Sequence, residues 1–198
     1  MDRKTWLLLI LLIGYGAWKE WSGRSIYQAD GVLAASMPIQ TDLDDVAAFE
    51  FEGYSIKPLA DFTLKARVLS RADYSLGREA ELVPTDIAFG WGHMSDTAVL
   101  SKIEISQGNR FYFWRTDDPP IPLREIEVSS ANMHLSPSTK AIKRTIGAVH
   151  PGQIVQLRGK LVRVDAADGW HWQSSLTRED TGGGACELVF VESIFVEN

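Results

Sequence analysis

The sequence predicts a mainly β protein with one short soluble helix, carried behind an N-terminal transmembrane helix. Two observations predict it: a single wholly apolar run at the N-terminus, and short segments beyond it in which apolar and polar residues alternate. With 198 residues, 45% of them hydrophobic and 10% aromatic, the chain suits one folded domain with a real core, not a disordered one. The abundance of Val, Ile, Phe, Tyr and Trp favours strands.

The N-terminus begins "MDRKTWLLLILLIGYGAWKEW". Arg3 and Lys4 precede an apolar stretch containing Trp6, Leu7, Leu8, Leu9, Ile10, Leu11, Leu12, Ile13 and Trp18, and charge resumes at Lys19. As a helix the run spans about 20 Å, shorter than the roughly 30 Å hydrocarbon layer and closer to a signal-peptide core. Cleavage sites are poor: cutting after Gly14-Tyr15-Gly16 leaves little apolar chain, and Ala17 has bulky Tyr15 at the third position. Trp6, Trp18 and Trp21 bracket the run as interfacial aromatics do, which favours a retained anchor in contact with the lipid bilayer through residues 5–21. The short basic end suggests a single-pass topology in a bacterial inner membrane, with the N-terminus cytoplasmic and the C-terminal domain periplasmic. The expected organisation is therefore an anchor over 1–21, a tether with one early strand over 22–48, and a β-rich globular domain over 49–198.

The tether is acidic, with Asp42, Asp44 and Asp45 close together, and its strand is expected around "GVLAA". The acidic cluster lacks the glycine-turn ligand loop of a calcium hand and reads as solvated chain. In "DFTLKARVLS", Phe62, Leu64, Ala66 and Val68 alternate with polar residues and form one face of a strand. "KIEISQGNRFYFW" reads as a hairpin turning at Gln107-Gly108-Asn109, with Phe111 and Phe113 on one face and Tyr112 and Trp114 on the other. Such a strand is either central or presents Tyr112 and Trp114 to a partner. "TDDPPIPLRE" is an extended connection, because its prolines forbid a central strand. The soluble helix is expected after Ser136, with a proline in its first turn, Ile142 and Ile146 on one side, and Lys140, Lys143 and Arg144 outside.

The stretch "GQIVQLRGKLVRVDAADGWHWQSS" carries the fold furthest. Val155, Leu157 and Leu161 face one way in a row that Gly159 interrupts, and the phase then flips so that Val162 and Val164 become the apolar pair. A glycine with a phase change is what a coiled barrel strand needs. The chain turns over 165–169 and returns through Trp170 and Trp172, and "ACELVFVESIFV" supplies a last strand. A bent strand entering a hairpin beside one helix points to a small OB-like or related β-barrel.

The blocks "WGHMSD", "ISQGNRFYFWR" and "SSLTREDTGGGACELV" are similar to an uncharacterised group of bacterial membrane-anchored, β-rich exported proteins, a resemblance that implies no activity. A single-pass anchor ahead of a β-barrel with one cysteine also resembles the sortase transpeptidases, which implies a thiol transpeptidase or hydrolase using Cys186 and His93. The chain departs from that pattern: Ala185 precedes the cysteine where sortases carry threonine, and no arginine follows Cys186. Period two places Cys186 with Leu188 and Phe190, which instead makes it the first residue of a core strand.

His93, His134, His150 and His171 show no metal-ligand spacing, and neither a nucleotide-binding glycine loop nor a serine elbow occurs, so no metal and no cofactor is expected. A net charge of -6 disfavours nucleic acid as a partner, although Arg158, Lys160 and Arg163 near Trp170 and Trp172 could form a local basic face for a polyanion. The remaining signal is an excess of aromatics. A non-catalytic module that docks on another membrane or envelope protein through Trp91, Tyr112, Trp114 and Arg115 is the leading expectation. The thiol enzyme and the polyanion-binding barrel are its alternatives.

Overall fold

The computed structural model describes residues 5, 6, 10, 14, 25–179 and 185–197. The proposed anchor lies almost wholly outside the described residues. Among the described residues no helix is long and apolar enough to cross a membrane.

The protein is mainly β, built around one large sheet. Strands β1 (Ile39–Asp42) and β2 (Phe49–Phe51) lie along the twenty-residue β3 (Tyr54–Asp73). Helix α1 (Arg78–Leu82) leads to β4 (Thr85–Gly90); a 3-10 turn (Gly92–Ser95) and α2 (Thr97–Leu100) lead to the hairpin β5 (Glu104–Gly108) and β6 (Phe111–Arg115). Helix α3 (Leu123–Val128), β7 (Ser130–Pro137), α4 (Lys140–Gly147), β8 (Ile154–Asp165), β9 (His171–Gln173) and β10 (Glu187–Glu197) complete the order.

Five of these strands pair in a cycle. β3 pairs with β4, β4 with β7, β7 with β10, β10 with β8, and β8 with β3; the β7–β10 ladder is parallel and the others antiparallel. One apolar cluster takes residues from all five, including Phe62 and Leu64, Phe89, Leu135, Leu157 and Val191. The face of Phe62, Leu64, Ala66 and Val68 is buried throughout, as the alternation predicts. Register shifts at Pro58/Ala60 and Val68/Ser70 let β3 leave β8 and continue along β4, which a straight strand could not do.

The predicted phase change in β8 divides two cores. Leu157 and Leu161 enter the first cluster, whereas Val162 and Val164 pack in a second with Tyr54, Ile56, Leu188 and Phe190. Phe49, Phe51, Trp170 and Trp172 cover that second cluster, which accounts for much of the aromatic excess. Gly159 stands between the two halves of β8, and a Cβ built there would lie 2.2 Å from the carbonyl oxygen of Phe190. The glycine is needed so that β8 and β10 can approach.

Several elements differ from the sequence expectation. The "GVLAA" segment forms no ladder; Leu33 and Ala34 instead donate their N–H groups to Ser95 Oγ, and the first strand is β1. The hairpin turn is Asn109–Arg110, two residues with positive φ (52° and 69°), a conformation that pairs well with strand twist. β6 is not central, because the hairpin is a separate two-stranded sheet. Pro137 ends β7 and does not open the helix, whose N-cap is Thr139 accepting from the Ile142 N–H. Three further short helices and turns join α4, each too short to show a helical period.

Gly159→Ala should cost about 1–3 kcal/mol, because its methyl would press on backbone that cannot rotate away. Gly108→Ala, with nothing within 4 Å of the added Cβ, is the control that should shift far less in a denaturant melt.

Candidate functional site

Alternation in β7 puts Ser130, Asn132 and His134 on the face opposite Met133 and Leu135, which belong to the first core. Asp86 of β4 lies directly across from His134. A buried polar face therefore looks away from the main core, and the β5–β6 hairpin folds over it.

Arg110, in the hairpin turn, holds that arrangement. Its Nη1 donates to Asp86 Oδ1 at 2.8 Å and to the Val83 carbonyl at 3.0 Å. Its guanidinium lies 3.8 Å from the centroid of the Tyr74 ring and 5.8 Å from that of Trp172. Its main chain is held too: the N–H donates to Tyr74 Oη, and the carbonyl accepts from Asn132 Nδ2. Asp86 is wholly buried, and His134 Nδ1 lies 3.0 Å from the same Oδ1, off the line of a good hydrogen bond, with its ring against Trp172. Gln107 donates to Asn132 Oδ1 at 2.6 Å, a second bond between hairpin and sheet.

Beside this polar layer is a cavity of about 280 Å³, lined by Phe111 to Trp114 of β6, Ser130 to Asn132 of β7, Arg178, and Ala185 to Glu187. Tyr112 Oη donates to Ser130 Oγ, which in turn donates to the Ile126 carbonyl. Burial pushes the Tyr112 phenol up to about 12. Arg178 Nε lies 2.9 Å from Glu187 Oε1, its Nη2 donates to Gln40 Oε1, and its guanidinium stands over the Phe62 ring. The cationic group at the cavity is thus already matched by a carboxylate.

The expected interaction residues are distributed differently from their prediction. Trp91 is 1% exposed and belongs to the main core, so it presents nothing to a partner; its position just after β4 turns the indole inward. Tyr112 and Trp114 face the protein, Trp114 packing by Met94, Ile103 and Ile126. Their strand neighbours Phe111 and Phe113 are the outward pair, 41% and 55% exposed, with ring centroids 6.3 Å apart. The aromatic strand forms with its inward and outward faces the reverse of the expected ones, because the hairpin lies on a polar layer that periodicity does not reveal. Arg115 is exposed, within 4 Å of Glu104 and Asp117.

Cys186 precedes β10 instead of beginning it, and it lines the cavity where a core position had been expected. Its Sγ lies 3.7 Å from Asn132 Nδ2 and 4.0 Å from the Arg110 carbonyl oxygen. His93 pairs with Glu125 and does not line that cavity. On the basic face, Lys160 pairs with Asp61 at 2.6 Å, Arg163 with Asp165 at 2.7 Å, and Arg158 lies 3.7 Å from Glu192. Among the described residues no group of three or more His, Cys, Asp or Glu side chains could hold a metal.

Arg110→Ala should destabilise the domain by about 3–5 kcal/mol, because it strands Asp86 in the interior; adding Asp86→Asn should recover part of that loss in a double-mutant cycle. The Tyr112 phenol sets an alkaline limit. Between pH 10 and about 12 the unfolded phenol has ionised and the folded one has not, so its stabilisation is complete below pH 10 and is lost as pH rises through that window. Tyr112→Phe should remove the latest component of the phenolate absorbance titration and flatten the fall in stability over the same range.

No family model matches the chain, and neither a curated protein nor a solved structure was found that matches it.

Proposed function

We propose that the chain is a membrane-anchored, non-catalytic module that docks on another protein of the bacterial envelope through the β5–β6 hairpin. The observation that carries this reading is the outward pair Phe111 and Phe113, set beside a cavity on a hairpin whose tip is pinned by Arg110. Large apolar side chains on a preorganised support lose little freedom on binding and are what interface hot spots use.

The cycle of five ladders, with its third and fifth strands parallel and a helix between the third and fourth, is read as a small OB-type barrel. Barrels of that type commonly bind oligonucleotides or glycans on the face of their second and third strands. Here those strands are β4 and β7, and the hairpin occupies their outer face through Arg110, Gln107 and Tyr112. The pairing of Arg158, Lys160 and Arg163 with carboxylates likewise leaves little positive field for a polyanion. Both features favour a protein partner. The apolar N-terminal run supplies the anchor, with the domain on the periplasmic side.

A thiol enzyme using Cys186 and His93 is the second reading, favoured by the position of Cys186 in the cavity wall. The pairing of His93 with Glu125 outside that cavity weighs against it.

A photo-crosslinking residue at Phe113 in the tagged full-length protein, activated in intact membranes, should yield one discrete adduct that the same residue at Arg158 does not. Phe111→Ser combined with Phe113→Ser should reduce partner recovery by about tenfold or more, while Cys186→Ala leaves it intact. Recovery insensitive to the two phenylalanines would remove the basis of the docking reading, and loss with Cys186→Ala would favour the enzyme.

A further inference from the structure

The two-residue turn Asn109–Arg110 makes Gly108 and Phe111 the closing hydrogen-bonded pair of the hairpin. Alternation along an antiparallel ladder then gives Ser106–Phe113 and Glu104–Arg115 the remaining hydrogen-bonded pairs. Tyr112 and Trp114 fall between them, so their main-chain N–H and C=O groups point away from β5. No other described residue makes a main-chain hydrogen bond to either.

Phe111, Tyr112, Phe113 and Trp114 all line one cavity. Successive side chains of a strand point to opposite faces, so four consecutive residues share a cavity only where it runs along the strand's edge. Across it stand Ser130, Ala131 and Asn132, also consecutive. The β7–β10 ladder begins only at Met133, so those three residues make no ladder bond to β10, and Ala185 and Cys186 stand beside them in the cavity wall. Among the described residues, the cavity is a slot along the open edge of β6, walled on its far side by β7 and by Ala185 to Glu187.

We propose that this slot takes an extended polypeptide segment of the partner, added as a strand alongside β6. The inference rests on the docking reading above and specifies its chemistry. Main-chain donors and acceptors alternating along an edge are satisfied by another extended backbone, whose own spacing matches theirs. Charge beyond the Trp114 end of the slot specifies that flank of the segment. Side chains of Glu104, Asp117 and Asp118, beyond Trp114, are 79%, 91% and 92% exposed, against 72% for Arg115 and 54% for Lys102. Carboxylates are the more open groups, so Lys or Arg flanks the added strand at that end. Its outward side chains lie beside Phe111 and Phe113 and are apolar; a strand of about five residues, roughly 17 Å long, covers the edge.

The probe is a displayed library of random ten-residue peptides, selected on the detergent-solubilised full-length protein, with the enriched peptides then synthesised. Enriched peptides should alternate apolar and polar residues with a basic residue at one end, and their binding should slow amide exchange at Tyr112 and Trp114 by about tenfold or more. N-methylation of the peptide backbone should weaken binding by about tenfold or more at every second residue and little at those between. Peptides that bind with no such alternation, or without protecting those amides, would overturn strand addition while leaving docking through Phe111 and Phe113 standing. Failure to enrich any peptide would also overturn it, whereas loss of the Phe113 crosslink in membranes is what removes the docking reading itself.

Discussion

The Arg110–Asp86 pair is the constraint on which the hairpin and the polar layer beneath it depend. An isolated two-stranded hairpin is marginal in water, and β5–β6 has no ladder to the main sheet. What holds it is a guanidinium inserted from the turn into the space between Tyr74, Trp172 and Asp86. Asp86 is fully buried, so without the cation its ionised form would be unsupported and the whole polar layer would favour rearrangement. The interaction also fixes direction: a guanidinium bonded to both a carboxylate and the Val83 carbonyl admits few orientations of the turn. The faces of β6 follow from that orientation, with Tyr112 and Trp114 inward and Phe111 and Phe113 outward.

A second constraint is the coiling of β8. Its two apolar rows serve different cores, and the row changes between Leu161 and Val162, just past the glycine that lets Phe190 approach. This part of the fold was legible from the sequence because period two is local: each residue's neighbours two positions away report its face. The same locality found the face of Phe62 to Val68 and the return through Trp170 and Trp172.

The polar layer was not legible for the opposite reason. Arg110 and Asp86 are 24 residues apart and meet only after the hairpin folds back over β4 and β7. One signal was present: Ser130, Asn132 and His134 alternate with Ala131, Met133 and Leu135, which marks a strand with a polar side, and polar groups on a buried strand need covering partners. The partners themselves had no local mark. The core position of Trp91 has no local mark for a related reason, since aromatic residues serve cores and interfaces alike and composition does not separate the two uses.

Strand edges invite unwanted pairing, and the edges at β9 and β1 are managed. β9 has only three residues, and Gln40 of β1 reaches across to bond the Leu176 carbonyl and Arg178. β6 carries neither lysine nor proline and presents aromatic side chains beside its open edge. A five-residue edge offers few main-chain hydrogen bonds, too few for tight binding between freely diffusing proteins. On the proposed reading the anchor compensates for this. Confinement of both partners to one membrane raises their effective concentration, so a short, weak edge is enough for association at the membrane and binds little away from it. The unprotected edge and the apolar N-terminus, which look like separate liabilities, are then two parts of one docking device.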